Sequence, residues 1–244
     1  CTFKLIMGKS SPIGLFDSGV GGLTVAHALH TILPSEQLIY FGDTVHLPYG
    51  DKSRETIVKY SLGIADFLLE QKCKVILIAF NSASANAFTE VQEHVGTRAV
   101  VMNVIEPVVQ RVCADKPKNV GIIGTKATID SGTYERQIRE TLFRSEANSA
   151  PEAKSTSDSS SKTDPKSIAS SRSRISSKIQ VNSLATPLFV PMIEEGFVFD
   201  DISNAIIRSY LSKHELDGID SLVLGCTHYP LLQDVIGRVM GMGV

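Results

Sequence analysis

The chain is expected to fold as an α/β protein of two lobes that mirror each other across one cleft, each lobe a mainly parallel sheet flanked by helices. Three observations lead there. Short apolar runs alternate with stretches of helical periodicity, the pattern of a parallel α/β sheet. One local layout, an apolar strand running into small polar residues, recurs at Phe16-Asp17-Ser18-Gly19, Ala79-Phe80-Asn81-Ser82, Ile123-Gly124-Thr125 and Leu224-Gly225-Cys226-Thr227. Open α/β sheets bind ligands at the carboxyl ends of their strands, so facing lobes would bring these turns to a common site.

The expected strands, in chain order, are 13–16, 37–41, 74–79, 99–104, 120–124, 179–184 and 221–225. Helical patterns fall between them at 23–33, 53–70, 84–95, 107–113, 131–142 and 200–212. The helix over 53–70 is the clearest, because Ile57, Tyr60, Ile64, Phe67 and Leu68 recur at steps of three and four and so share one face. Residues 145–178 break the alternation. They are rich in Ser, Lys, Ala and Asp and nearly devoid of apolar side chains, so they cannot bury enough surface to offset their ordering entropy. A disordered surface insertion is expected there, with Ser171-Arg172-Ser173-Arg174 read as solvated linker.

The 244 residues suffice for a sizeable core in one large or two small domains. A composition 43% hydrophobic and 20% charged is that of a globular domain. The net charge of −2 favours neither nucleic acid nor an anionic membrane as partner. No apolar run reaches membrane-spanning length, and the first residues carry no signal-peptide pattern, with Met7 a candidate natural start. Cys1, Cys73, Cys113 and Cys226 have neither CxxC spacing nor nearby histidine pairs, so no metal site is expected, and scattered thiols fit a reducing cytoplasm.

The turns themselves carry the chemistry. Each offers short hydroxyl or amide side chains and free backbone N–H groups at a helix start, which together suit an anion. Any single turn could simply cap its helix; the repetition points to a small ligand with more than one carboxylate. Asp17, followed by Ser18-Gly19-Val20-Gly21-Gly22, lacks the GxGxxG spacing and the lysine of a nucleotide loop, and reads as a catalytic or orienting carboxylate. Cys226 ends a strand two residues before His228, which can polarise a thiol or donate a proton. Once water is excluded, a thiolate is a competent general base. Cys73, at the start of its strand, and Cys113, on a helix, read as structural.

These residues resemble a known family. The run Ile13-Gly14-Leu15-Phe16-Asp17-Ser18-Gly19-Val20-Gly21-Gly22-Leu23-Thr24 resembles the opening motif of bacterial glutamate racemases. So do Gly42-Asp43-Thr44 with Pro48-Tyr49-Gly50, Gly124-Thr125 with Thr128, and Gly225-Cys226-Thr227-His228-Tyr229-Pro230. The resemblance runs from about Ile13 to the C-terminus and implies two pseudosymmetric α/β lobes with the amino acid between them. It implies a cofactor-independent isomerase in which one cysteine removes the α-proton and a second, on the opposite face, returns one. By resemblance Cys226 is one of these thiols, with Asp17, His228 and Glu194 assisting. Substrate contacts would fall on Asp17, Ser18, Tyr49, Gly50, Asn81, Ser82, Thr125, Thr128, Thr227 and His228. The implied lobes are 12–104 with 226–244, and 105–225. Glutamate is the implied ligand, without cofactor, nucleic acid or membrane, in the cytoplasm, and with a homodimer left open.

The sequence departs from the family pattern in three places. Phe80 stands where the family reads the Cys of Cys-Asn-Thr, and a phenyl ring transfers no proton. The family continues beyond a position equivalent to Val244 with a further strand and helix, and it lacks the Ser-rich insertion. Two main readings follow. One is a glutamate racemase-like protein interconverting L- and D-glutamate for peptidoglycan synthesis. The other is a glutamate-binding pseudoenzyme with a regulatory or partner-binding role. A one-thiol enzyme of the same superfold, such as a decarboxylase that protonates one face, is a third.

Overall fold

A computed structural model describes residues 11–149, 179–198 and 200–241. Two parallel sheets organise the chain. The first contains β1 (Ile13–Asp17), β2 (Leu38–Gly42), β3 (Val75–Ile78) and β4 (Val100–Asn103) in the order β2-β1-β3-β4. The second contains β5 (Asn119–Gly124), β6 (Gln180–Ala185) and β7 (Ser221–Gly225) in the order β6-β5-β7. Every pairing is parallel, with Ile13 opposite both Leu38 and Val75, and Val120 opposite both Val181 and Ser221. The arrangement β2-β1-β3 is therefore repeated by β6-β5-β7, and β3 and β7 occupy equivalent places. This two-lobed α/β architecture is the one the alternating pattern predicts.

The helices are α1 (Leu23–Ile32), α2 (Arg54–Glu70), α3 (Asn81–Asn86), α4 (Phe88–Val95), α5 (Ile105–Asp115), α6 (Lys126–Asp130), α7 (Thr133–Ser149), α8 (Phe189–Glu194), α9 (Asp201–Leu211) and α10 (Gln233–Met240). Helix α2 starts where Ser53 accepts the Thr56 N–H at 3.3 Å, and it buries Ile57, Ile64, Ala65 and Leu68 against the first sheet. Its expected stripe is narrower than the periodicity suggests: Phe67 is 38% exposed and rests on Phe41 at the margin of the core. The pattern read as one helix over 84–95 is two helices, α3 and α4, separated at Ala87. Three helices, α6, α8 and α10, were not among the expected spans.

Two boundaries differ from expectation. Helix α7 runs to Ser149, so the polar composition from 145 onward does not end it; residues 150–178, with the Ser-Arg repeat, lie outside the described residues. Residues 226–241 do not return to the first lobe. Tyr229, Leu232, Val235 and Ile236 share one apolar cluster with Phe189, Ile207 and Leu211, and α10 packs on α9. The physical reason is that the apolar side of α10 finds its partner surface on the helices beside the second sheet.

The lobes meet along α3. Thr133 Oγ1 donates to Ala85 O at 2.9 Å, Asn86 Nδ2 to Ala127 O at 2.9 Å, and the Ala127 N–H to Gly50 O at 2.8 Å. This seam fixes the two sets of strand ends across from one another.

Candidate active site

A cleft of about 280 Å³ opens between the lobes at the strand carboxyl ends. The first lobe contributes Ser18 after β1, the lip Leu47–Asp51 after β2, and Phe80, Asn81 and Ser82 after β3. The second contributes Thr125 after β5, one side of α8 with Glu194 and Glu195 at its C-terminal end, and Cys226, Thr227 and His228 after β7. The turns expected to converge from sequence do converge.

Cys226 lies 7% exposed in the wall of the second lobe. Its Sγ is 3.8 Å from His228 Nδ1, and His228 Nε2 is 3.2 Å from Glu194 Oε1. Thiol, imidazole and carboxylate thus form a line, the arrangement in which a base is itself oriented by a third group. Burial pushes the thiol up to about 12; the N–H groups of His228 and Tyr229 pull it down, while the charges of Asp17 and Glu194 add to the rise. Burial therefore favours Cys226 as a neutral thiol, ready to give a proton, and a nearby cation or an acceptor is needed before it can take one.

Asp17 sits behind Ser18 rather than on the cleft wall, 1% exposed. Its Oδ1 accepts the Gly19 N–H at 2.6 Å and the Ser18 hydroxyl at 3.3 Å, while Oδ2 has no hydrogen-bond partner among the described residues. Burial raises its pKa; the Gly19 N–H and the nearby imidazole of His228 oppose that rise. The glycine loop lets it come this close. A Cβ on Gly22 would lie 2.8 Å from Asp17 Oδ2, and one on Gly21 would lie 2.5 Å from Thr227 Oγ1 and push the loop and the second lobe apart.

Hydroxyls bridge the lobes beneath the ligand space. Ser82 Oγ and Thr125 Oγ1 are 3.0 Å apart, as are Thr125 Oγ1 and Thr128 Oγ1. Thr128 is buried behind Thr125 and does not face the cleft, which changes its expected role from contact to support. Gly50 lies against Thr125, where a Cβ would approach Thr125 Cβ to 3.0 Å. Asn81 accepts the Tyr134 hydroxyl at Oδ1 over 2.7 Å.

Phe80 occupies the place after β3 that Cys226 occupies after β7. Its ring is 5% exposed and packs edge-on against Tyr49, with centroids 5.2 Å apart, and against Phe16 at 6.1 Å. It brings van der Waals contact to the cleft and no titratable group.

Ser18, Tyr49, Gly50, Asn81, Ser82, Thr125, Glu194, Thr227 and His228 all line the cleft with Cys226; Asp17 and Thr128 stand one layer behind. The sequence reading missed Tyr134, which has the pattern of an ordinary helix residue, and the apolar wall of Leu47, Pro187, Val190 and Pro191. The prolines were the available signal for that wall. Cys73 is fully buried and Cys113 half-buried, both away from the cleft. Among the described residues no cluster of His, Cys, Asp and Glu could hold a metal ion, and no helix is long and apolar enough to cross a membrane.

The profile of the family described as Asp/Glu/Hydantoin racemase matches residues 23–180. The chain belongs to that family. It is 40% identical over 230 residues to a glutamate racemase of Geobacter metallireducens, covering 94% of this chain and 72% of that relative. It is 36% identical over 239 residues to one of Neisseria meningitidis, covering 96% and 74%. Among solved structures it is similar to glutamate racemase from Francisella tularensis in complex with D-glutamate, with a TM-score of 0.75 and 38% identity, covering 94% of this chain and 73% of that one. The glutamate racemases among these relatives are amino-acid isomerases, and the two-lobed α/β fold is shared with them.

Proposed function

We propose that the cleft binds glutamate with its α-carbon beside Cys226, and that this chain exchanges the α-proton on one face without inverting the centre. The observation that carries the reading is the contrast between a thiol aligned with His228 and Glu194 on one wall and a phenyl ring at the equivalent place on the other. Inversion needs an acid on the face opposite the base. Here Cys226 takes the α-proton, the thiol exchanges it with solvent, and a solvent-derived proton returns to the same face. The substrate ammonium supplies the cation that favours the thiolate, and His228 accepts the thiol proton at Nδ1. The hydroxyls of Ser18, Ser82, Thr125 and Thr227, the Asn81 amide and the neighbouring backbone N–H groups hold the carboxylates. Asp17 acts from behind Ser18 by stabilising positive charge on His228.

The racemase relatives support glutamate as the ligand. The cellular role that goes with the family is supply of D-glutamate for peptidoglycan in the cytoplasm. A glutamate-binding pseudoenzyme is the second reading, favoured by the close packing of the Phe80 ring between Tyr49 and Phe16.

The test is to incubate the purified protein separately with L- and D-glutamate in deuterated buffer. The proton NMR signal of the α-hydrogen is followed beside chiral chromatography. One enantiomer is expected to lose its α-hydrogen signal while keeping its configuration. Interconversion of L- and D-glutamate would overturn the role given to Phe80. Binding without exchange would select the pseudoenzyme, and absence of glutamate binding by calorimetry would remove both readings.

A further inference from the structure

The lip between β2 and α2 contains a buried carboxylate that the chemistry above does not use. Asp43 is 7% exposed and lies too far back to touch the ligand space. Both of its oxygens are engaged: His46 Nδ1 approaches them at 2.8 and 2.9 Å, and the Tyr49 hydroxyl donates to Oδ2 at 2.5 Å. The His46 ring stacks on Tyr60 of α2, centroids 4.0 Å apart and planes 24° apart, and Tyr60 also meets Tyr49 at 5.8 Å. The Asp43 N–H is bonded to Asp17 O at 2.9 Å, which fixes the carboxylate to the end of β1.

We propose that Asp43, with His46, is a positioning residue for the ligand site: it clamps Tyr49 and thereby sets the wall formed by Tyr49, Gly50 and Phe80. A buried carboxylate binding two donors is a strong and directional anchor. Tyr49 carries its effect to the cleft in two directions. Its ring packs on Phe80, as does that of Phe16, and its neighbour Gly50 accepts the Ala127 N–H at 2.8 Å from the second lobe. Releasing the hydroxyl frees the ring that holds Phe80 and loosens the stretch of lip that touches Thr125. Asp43 and His46 act only through Tyr49, so they change ligand affinity without meeting the ligand.

The proposal rests on glutamate as the ligand for its affinity readout, and a second readout on the ligand-free protein stands apart from that reading. Asp43→Asn, Tyr49→Phe and the double variant are made in the full chain, with His46→Asn as the conservative variant that keeps a side-chain N–H donor at the place of Nδ1. In ligand-free protein, amide hydrogen exchange of 44–51 and of Ala127 is expected to rise about tenfold in Asp43→Asn and in Tyr49→Phe, with β5 amides unchanged. His46→Asn should retain most of the wild-type protection. Calorimetric glutamate affinity is expected to fall about tenfold in each single variant and no further in the double variant, the signature of two groups acting as one. Unchanged exchange in the lip, or a rise spread evenly over the lobe, overturns the clamp. Additive affinity losses overturn the route through Tyr49. Variants that show the lip response, beside a wild-type chain that binds no glutamate, refute the ligand assignment and leave the clamp standing.

Discussion

The turn after β3 and the turn after β7 occupy equivalent places in two copies of one sheet order, and they are built for different tasks. Both follow a parallel strand paired to the central strand of its lobe, and both deliver a buried side chain to the cleft. After β7 that side chain is a thiol in line with an imidazole and a carboxylate. After β3 it is a phenyl ring held by two other rings. The fold decides where a group stands, and the residue decides whether a proton can move there. The hydroxyl ladder of Ser82, Thr125 and Thr128 belongs to neither side chain, so ligand binding and proton transfer can part company in this molecule.

The sharpest way to break the contrast is to make the turns alike. Phe80→Cys is expected to convert one-face exchange into measurable interconversion of L- and D-glutamate by chiral chromatography. A positioned acid or base contributes roughly 10²–10⁴-fold. The variant should cost no more stability than the ~3–5 kcal/mol of truncating a buried phenylalanine to alanine. If it folds and binds glutamate but still fails to invert, the two turns differ by more than a thiol. The converse variant, Cys226→Ser, should slow deuterium incorporation by roughly 10²–10⁴-fold while leaving calorimetric affinity near wild type. Unaltered exchange would move the base elsewhere.

A smaller effect probes the charge that supports the β7 side. Burial holds the Asp17 pKa above its ordinary 3.8, so between that value and the folded one the native state binds more protons than the unfolded chain. Stability therefore falls as pH rises through this window. Asp17→Asn removes the dependence. Its gain over wild type in urea unfolding should be absent below pH 3.8 and grow toward neutrality, to about 1–3 kcal/mol for relief of an unpartnered buried group. A gain independent of pH would show that the carboxylate is not the cause. The same variant should slow exchange at Cys226, since the charge facing His228 is gone.

The smallest effect tests the seam shared by both turns. Ser82→Ala removes one hydroxyl from the cross-lobe ladder and should lower stability by about 0.5–1.5 kcal/mol, while weakening glutamate binding. A loss of stability with unchanged affinity would make the ladder purely structural.

Much of this was legible in the residues because it depends on short-range pattern. Strand ends and small polar turns sit next to one another in sequence, so Ser18, Asn81, Ser82, Thr125 and Thr227 could be located without coordinates. The proximity of Cys226 and His228 follows from their two-residue spacing. Glu194 was reached only by resemblance, since it lies 34 positions before His228 and no local rule joins them. Tyr134 was not reached at all, because its hydroxyl meets Asn81 across the lobe seam while its helix pattern is ordinary.

By itself, then, the sequence determined the alternation of strands and helices, the parallel sheets, the polar turns at their ends and the absence of a thiol at position 80. These are consequences of hydrophobic periodicity and of residue chemistry, which act over a few positions. Only the tertiary structure decided that Thr128 and Asp17 stand behind the wall, that Asp43 holds Tyr49, and that α10 packs on the second lobe. Those outcomes depend on which buried surfaces and hydrogen-bonding groups find partners across distant segments, and no local pattern encodes that choice.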